Sequence, residues 1–268
     1  MGTDMRLWVI ITKYVAILKG DRPMTQESKI EWTGKTWNPT TGCTKISPGC
    51  KHCYAETMAK RLKAMNAPSY VNEFQLTLHP NRLNDPLKNR KPTIFFVNSM
   101  SDLFHELVPI DFIDKVMATI GSAQQHTFQL LTKRAESMQQ YFATREAPPN
   151  LWVGVSVEDQ KYGLPRIEHL REINAVVRFL SVEPLLEDLG DIDLTNIEWV
   201  IVGGESGAKA RPMHKGWAES VIAQCEAQNV PVFFKQWGTW SEYGEKKTKG
   251  LNGYLINGKE YRQMPVGF

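Results

Sequence analysis

From residue 29 onward, short apolar and β-branched runs alternate with longer stretches of helical period. The runs fall at 35–37, 93–97, 127–131, 151–155, 176–180, 199–202 and 230–234. Continuous apolar runs of this length mark strands covered on both faces, as in a parallel sheet. Helical spacing between them predicts helices over 54–66, 110–123, 135–144, 162–173 and 215–228. In the last of these, Trp217, Val221, Ile222 and Cys225 share one stripe. Alternating strands and helices with right-handed crossovers give either an open doubly wound sheet or a closed barrel. Seven strand candidates favour a single α/β domain, a (β/α) barrel or partial barrel of TIM type with mostly parallel strands. No dinucleotide-binding glycine fingerprint follows the first strand.

The ends of the chain depart from this rhythm. The run from Leu7 to Leu18 is interrupted by Lys13, lacks the pattern of a signal peptide and is too short to span a bilayer. Residues 1–23 are therefore expected to be an upstream extension outside the core, with the working chain opening near Met24. Residues 24–237 are expected to form the barrel-like domain, with a cysteine loop at 41–54. Residues 238–268 should form a tail of loops and a short hairpin, because Ile256-Asn257-Gly258-Lys259 carries a hairpin turn signal.

Composition narrows the class. The 268 residues are 42% hydrophobic and 23% charged, which excludes a disordered chain. A net charge of +3 is compatible with a nucleic-acid partner but falls short of a strongly basic footprint. Three of the four cysteines lie within eleven residues, unlike a secreted disulfide framework. The clustering points to a reducing compartment, the cytoplasm, and to a metal or cluster site.

That cluster reads Thr41-Gly42-Cys43-Thr44-Lys45-Ile46-Ser47-Pro48-Gly49-Cys50-Lys51-His52-Cys53-Tyr54-Ala55, a C-x6-C-x2-C spacing. It sits in a Gly/Pro loop after the first strand and directly before a helix, whose N-terminus favours thiolate charge. Three thiolates would leave one iron of a four-iron cluster open to a ligand. Zinc is the alternative, with His52 or a distant residue as fourth ligand. Cys225 lies on an apolar helical stripe and is expected to be core.

Polar residues follow the strand runs at a common phase. They are Asn98-Ser99-Met100-Ser101-Asp102, Thr132-Lys133-Arg134, Ser156-Val157-Glu158, Ser181-Val182-Glu183, Gly203-Gly204-Glu205 and Lys235-Gln236-Trp237. In a parallel barrel all these ends share the face where active sites are built. Glu158, Glu183 and Glu205 on one face call for cations or donors, or for a divalent metal as in a hydrolase. Lys133 and Arg134 suit a carboxylate or phosphate. Trp237 and Trp240 suit either a stacked base or a core plug.

A three-cysteine loop after the first strand of a (β/α) barrel resembles the radical S-adenosylmethionine (radical SAM) enzymes. Their usual spacing is C-x3-C-x2-C with an aromatic residue before the third cysteine. Here the first gap is six residues, His52 holds the aromatic position, and Tyr54 follows the cysteine. Residues 29–237 also resemble an uncharacterised phage and prophage family of three-cysteine proteins through TWNPTTGC, CxxCYA, SMSDLF, LLTKR, VSVE, SVEPLL and GGESG.

The resemblance implies a 4Fe–4S cluster on Cys43, Cys50 and Cys53, and cleavage of S-adenosylmethionine to a 5′-deoxyadenosyl radical. It further implies cofactor contacts from Asn98, Ser99, Asp102, Ser156, Gly203, Gly204 and Lys235, with Glu158, Glu183 and Glu205 as catalytic groups. A flavodoxin or ferredoxin would be the reductant, a nucleic acid or nucleotide the substrate, and no membrane is involved. Two other functions stay open. One is a zinc- or cluster-stapled protein that binds nucleic acid or a partner. The other is a metal-dependent hydrolase.

Overall fold

Both faces of the central sheet carry an apolar cluster of buried side chains. The computed structural model describes residues 26–28 and 30–265, so the expected extension over 1–23 lies outside the described residues. The strands are β1 (Gln26–Glu27), β2 (Lys35–Trp37), β3 (Thr40–Thr41), β4 (Thr77–Leu78), β5 (Ile94–Val97), β6 (Thr127–Thr132), β7 (Leu151–Ser156), β8 (Val177–Val182), β9 (Trp199–Gly203) and β10 (Val232–Gln236). The helices are α1 (Tyr54–Ala64), α2 (Ile110–Ser122), α3 (Ala135–Phe142), α4 (Pro165–Arg171), α5 (Lys215–Ala227) and α6 (Lys249–Asn252). All seven expected strands and five expected helices form, with ends moved by a few residues.

The main sheet runs β1-β2-β5-β6-β7-β8-β9-β10, and β3 pairs with β4 apart from it. Strand β1 is antiparallel to β2, and the other seven are parallel in sequential order. The sheet curls into a half-barrel with β1 and β10 at its edges, the partial form of the expected barrel. The β8–β9 crossover carries no helix. It buries Leu185, Leu189, Ile192 and Leu194 in the outer core instead.

Alternate strand residues face opposite ways. On the convex side Val97, Leu130, Val153, Leu180, Val202 and Phe234 pack under the helices, together with Cys225 of α5. On the concave side Phe96, Trp152, Phe179, Trp199 and Phe233 form a second cluster around Trp32, which the bend between β1 and β2 delivers. The Trp32 ring lies 4.8 Å from Phe96 and 6.1 Å from Trp199, both edge-on. Gly154 makes room for this floor, since a Cβ there would lie 2.5 Å from the Phe179 ring.

The C-terminal segment covers the free edge of β10. Phe234 N–H donates to the Tyr261 carbonyl at 2.8 Å, and Gln263 N–H to that of Val232 at 3.1 Å. Covering removes an exposed row of backbone donors and acceptors. Asn257 and Gly258, with φ of 52° and 73°, turn the chain so that Ile256 bridges Lys259. Among the described residues no helix is long and apolar enough to cross a membrane.

Candidate functional site

Along each strand the concave wall changes from apolar to polar toward the C-terminal end. Phe179 gives way to Ser181 and then Glu183, Gly154 to Ser156, Leu131 to Lys133, and Phe233 to Lys235. These ends surround a cavity of about 400 Å³, and Cys43, Cys50 and Cys53 line it from the loop above.

Glycine and asparagine hold that loop in place. Gly42 has φ of 83°, and a Cβ there would fall 2.1 Å from the Gln75 carbonyl oxygen, so only glycine fits. Its N–H donates to the Met100 carbonyl at 3.0 Å, and Cys43 N–H to that of Phe74 at 3.1 Å. Asn38 Oδ1 accepts from Met100 N–H at 3.0 Å and from the Ser99 hydroxyl at 3.2 Å, binding β2's exit to β5's. Cys53 occupies the N-cap of α1, and the Tyr54 hydroxyl donates to the Ser99 carbonyl.

Two ion-paired clusters pin the loop, one near its start and one at its middle. At the first, Arg134 places Nη1 3.5 Å from Cys43 Sγ and donates through Nη2 to Thr44 Oγ1 at 2.8 Å. The same guanidinium meets Asp102 at 3.3 Å and Glu106 at 3.0 Å. At the second, the Ser47 hydroxyl donates to Glu158, and Gly49 lies so close that a Cβ would be 3.0 Å from that carboxylate. Glu158 is fully buried and pairs with Arg166 at 2.6 Å and Lys133 at 3.4 Å. Burial pushes its carboxyl up, but Lys133 and Arg166 outweigh burial and hold it below the ordinary carboxylate value. Burial, aided by Asp102, raises the Cys43 thiol to about 11, and burial also raises Cys53.

The expected site residues divide into wall and support. Asn98, Ser99, Asp102, Ser156, Glu183, Gly204, Glu205 and Lys235 line the cavity with the three cysteines. Asn98 has a φ of 60° and donates to Thr40 Oγ1 at 2.9 Å, while its buried Oδ1 has no partner. Asp102 is satisfied internally, accepting from Phe104 N–H, Thr132 Oγ1, Lys133 N–H and Arg134. Gly204 also permits a close backbone approach, since a Cβ would sit 2.1 Å from the Trp237 carbonyl oxygen. Gly203 packs closely against Glu183, and a Cβ there would lie 3.3 Å from that carboxylate.

The three glutamates are held by three different cations. Glu183 pairs with Lys235 at 2.7 Å, Glu205 with Arg211 at 2.6 Å, and Glu158 with Arg166. Glu158 and Gly203 stand behind the wall and do not line it. Trp237 is buried core, and Trp240 donates its Nε1 to the Ala210 carbonyl at 2.7 Å. Sequence reasoning missed Asn38, Ser47, Arg166 and Arg211. Asn38 lies in the TWNPTTGC run, which carried its only signal, whereas Arg166 and Arg211 acquire their roles through contacts that no local pattern announces.

Cys43, Cys50 and Cys53 are the wall residues able to hold an iron–sulfur cluster, a soft-thiolate donor set on one loop. Asn98 lines the same wall, and its Oδ1 is buried with no hydrogen-bond partner. Among the described residues no group of three His, Cys, Asp or Glu side chains closes on a single metal position.

Among solved structures, similar folds include a spore photoproduct lyase complexed with dinucleoside spore photoproduct, with 13% identity, a TM-score of 0.48, and coverage of 76% of this chain and 64% of that one. A variant of that lyase with bound AdoMet and dinucleoside spore photoproduct gives 14% identity, 0.48, 76% and 64%. Another variant gives 14%, 0.48, 84% and 70%. The chain thus spans 64% of the length of the first two, just under two thirds. No curated protein matches the chain. A family described as "Protein of unknown function (DUF5131)" matches residues 27–265, a description that does not speak to a phage setting.

Proposed function

The chain belongs to the DUF5131 family, and we propose that it is an iron–sulfur enzyme of radical SAM type acting on a nucleotide or nucleic acid. One observation carries the reading: the three cysteine thiols line the same cavity as the C-terminal ends of the parallel strands. Cys43, Cys50 and Cys53 would hold a four-iron cluster with one iron open. When bound, that cluster and S-adenosylmethionine supply a 5′-deoxyadenosyl radical for hydrogen-atom abstraction.

The chain's own residues bind, orient and exclude water. Asn98 Oδ1, buried without a partner, would accept from the ammonium of an amino-acid moiety. Glu183 and Lys235, paired at 2.7 Å on the wall, offer an acceptor and a cation to the polar groups of cofactor or substrate. Ser156 adds a hydroxyl beside them. Below, the rings around Trp32 close the lumen against water, which protects a reactive intermediate from side reactions. Lys133, Lys235 and Lys249 on the wall are each ion-paired, to Glu158, Glu183 and Glu31, and an anionic group such as a nucleotide phosphate would share those ammonium groups. The exposed Lys51 beside the cysteine loop suits an acidic reductant of flavodoxin or ferredoxin type, and the reduced thiols suit the cytoplasm.

A second reading keeps the fold and changes the metal, because His52 lines the cavity beside the three cysteines. Zinc on those four residues would make the loop a structural staple for nucleic-acid or partner binding.

Anaerobic reconstitution with iron and sulfide, followed by electron paramagnetic resonance of the dithionite-reduced protein, separates the two. The expected result is a reduced 4Fe–4S signal that changes on adding S-adenosylmethionine and is lost in Cys50→Ala. Stoichiometric zinc with no iron retained would overturn the radical reading.

A further inference from the structure

We propose that Arg134 is a positioning residue that sets the reduction potential of the cluster on Cys43, Cys50 and Cys53, a proposal that rests on the iron–sulfur reading. Arg134 stands at the N-cap position of α3, two residues past the end of β6, so a rigid strand end delivers its guanidinium to the cavity wall. Nη1 lies 3.5 Å from Cys43 Sγ, and Nη2 donates 2.8 Å to Thr44 Oγ1 on the next residue. Nε meets Glu106 at 3.0 Å, while Nη1 also reaches Asp102 at 3.3 Å.

The four contacts leave the fork little freedom. Asp102 is itself fixed by Thr132 Oγ1 at 2.7 Å and by the N–H groups of Phe104 and Lys133, each at 3.1 Å. A buried cation hydrogen-bonded to a cluster sulfur stabilises the reduced cluster, which carries one more negative charge. A planar guanidinium can touch sulfur, hydroxyl and two carboxylates at once, whereas a lysine ammonium on a flexible stem cannot. Glu106 is the counterweight. Its side chain is 61% exposed, and its charge offsets part of the guanidinium's. Removing Arg134 or Glu106 should therefore move the potential in opposite directions.

The test is a potentiometric titration, read by electron paramagnetic resonance, of the reconstituted full chain without S-adenosylmethionine. The proteins compared are wild type, Arg134→Gln, Arg134→Lys and Glu106→Gln, each first assayed for iron and sulfide. Expected are a lower potential in Arg134→Gln, an intermediate one in Arg134→Lys and a higher one in Glu106→Gln. Should Arg134→Gln fail to load iron, Glu106→Gln decides, because it alters an exposed side chain. Equal potentials at equal iron content overturn the role given to Arg134. A wild type that loads no iron takes down both this proposal and the cluster reading, and the iron assay shows it before any titration.

Discussion

At its floor the lumen packs Trp152, Trp199 and Phe233 edge to face, while a few residues further along the same sheet its wall is Ser156, Ser181, Glu183 and Lys235. The floor is held by area and shape. Trp199 is fully buried, and its Nε1 donates to the Gln263 carbonyl at 2.9 Å. The mouth is held by paired charges, and the Glu183–Lys235 pair keeps partial access to solvent. Apolar packing and paired polar groups are thus separated along one strand direction, as parallel barrels permit.

Substitutions can break that separation. Trp199→Ala should cost about 4 kcal/mol, from lost transfer and an unfilled cavity, measured by chemical denaturation. A cost under about 1 kcal/mol would mean that the floor is not a packed core. Glu158→Gln should cost about 3 kcal/mol, since it leaves Arg166 without its buried partner. It should also loosen the loop at Ser47, seen as faster proteolysis between Cys43 and Cys53. Gly154→Ala should cost about 2 kcal/mol by driving a methyl into the Phe179 ring. Lys235→Met should cost about 2 kcal/mol by leaving the largely buried Glu183 without its cation and abolish turnover under the proposed function, so a fully active variant would place the chemistry elsewhere.

One prediction concerns pH rather than a loss of packing or pairing. Burial first, then the Arg82 charge, lowers His79 from 6.5 to about 4, and it hydrogen-bonds Thr41 at 2.8 Å beneath the cysteine loop. The unfolded chain takes up a proton near 6.5 that the folded chain refuses, so this stability is fully present above about 6.5. It drains away as pH falls toward about 4. Urea midpoints across that window should fall less steeply in His79→Gln than in wild type. Equal slopes would show that His79 is not held neutral.

Much of the frame is legible in the chain because each strand is a continuous apolar run and each helix carries a stripe. The missed elements are those with little local signal, such as the two-residue strands β3 and β4 and the helix-free β8–β9 crossover. The polar strand ends were also legible, since the phase of Ser181-Val182-Glu183 follows from a period of two. Which carboxylate reaches the cavity was not. Glu158 and Glu183 each lie two residues beyond a wall serine, yet Arg166 of α4 draws Glu158 into a buried pair while Lys235 of β10 meets Glu183 on the wall.

The amino-acid sequence by itself determined the order of strands and helices, the loop that gathers Cys43, Cys50 and Cys53, and the face on which polar ends collect. Those properties are local, set by periodicity, by turn residues and by short spacing. Only the tertiary structure decided that the sheet stops as a half-barrel, with the tail on β10's edge. It also decided that Arg134 pins the cysteine loop at Cys43 and Glu158 pins it at Ser47. These depend on contacts between residues some 30 to 110 positions apart, and such contacts exist only once the sheet has curled and brought its strand ends together.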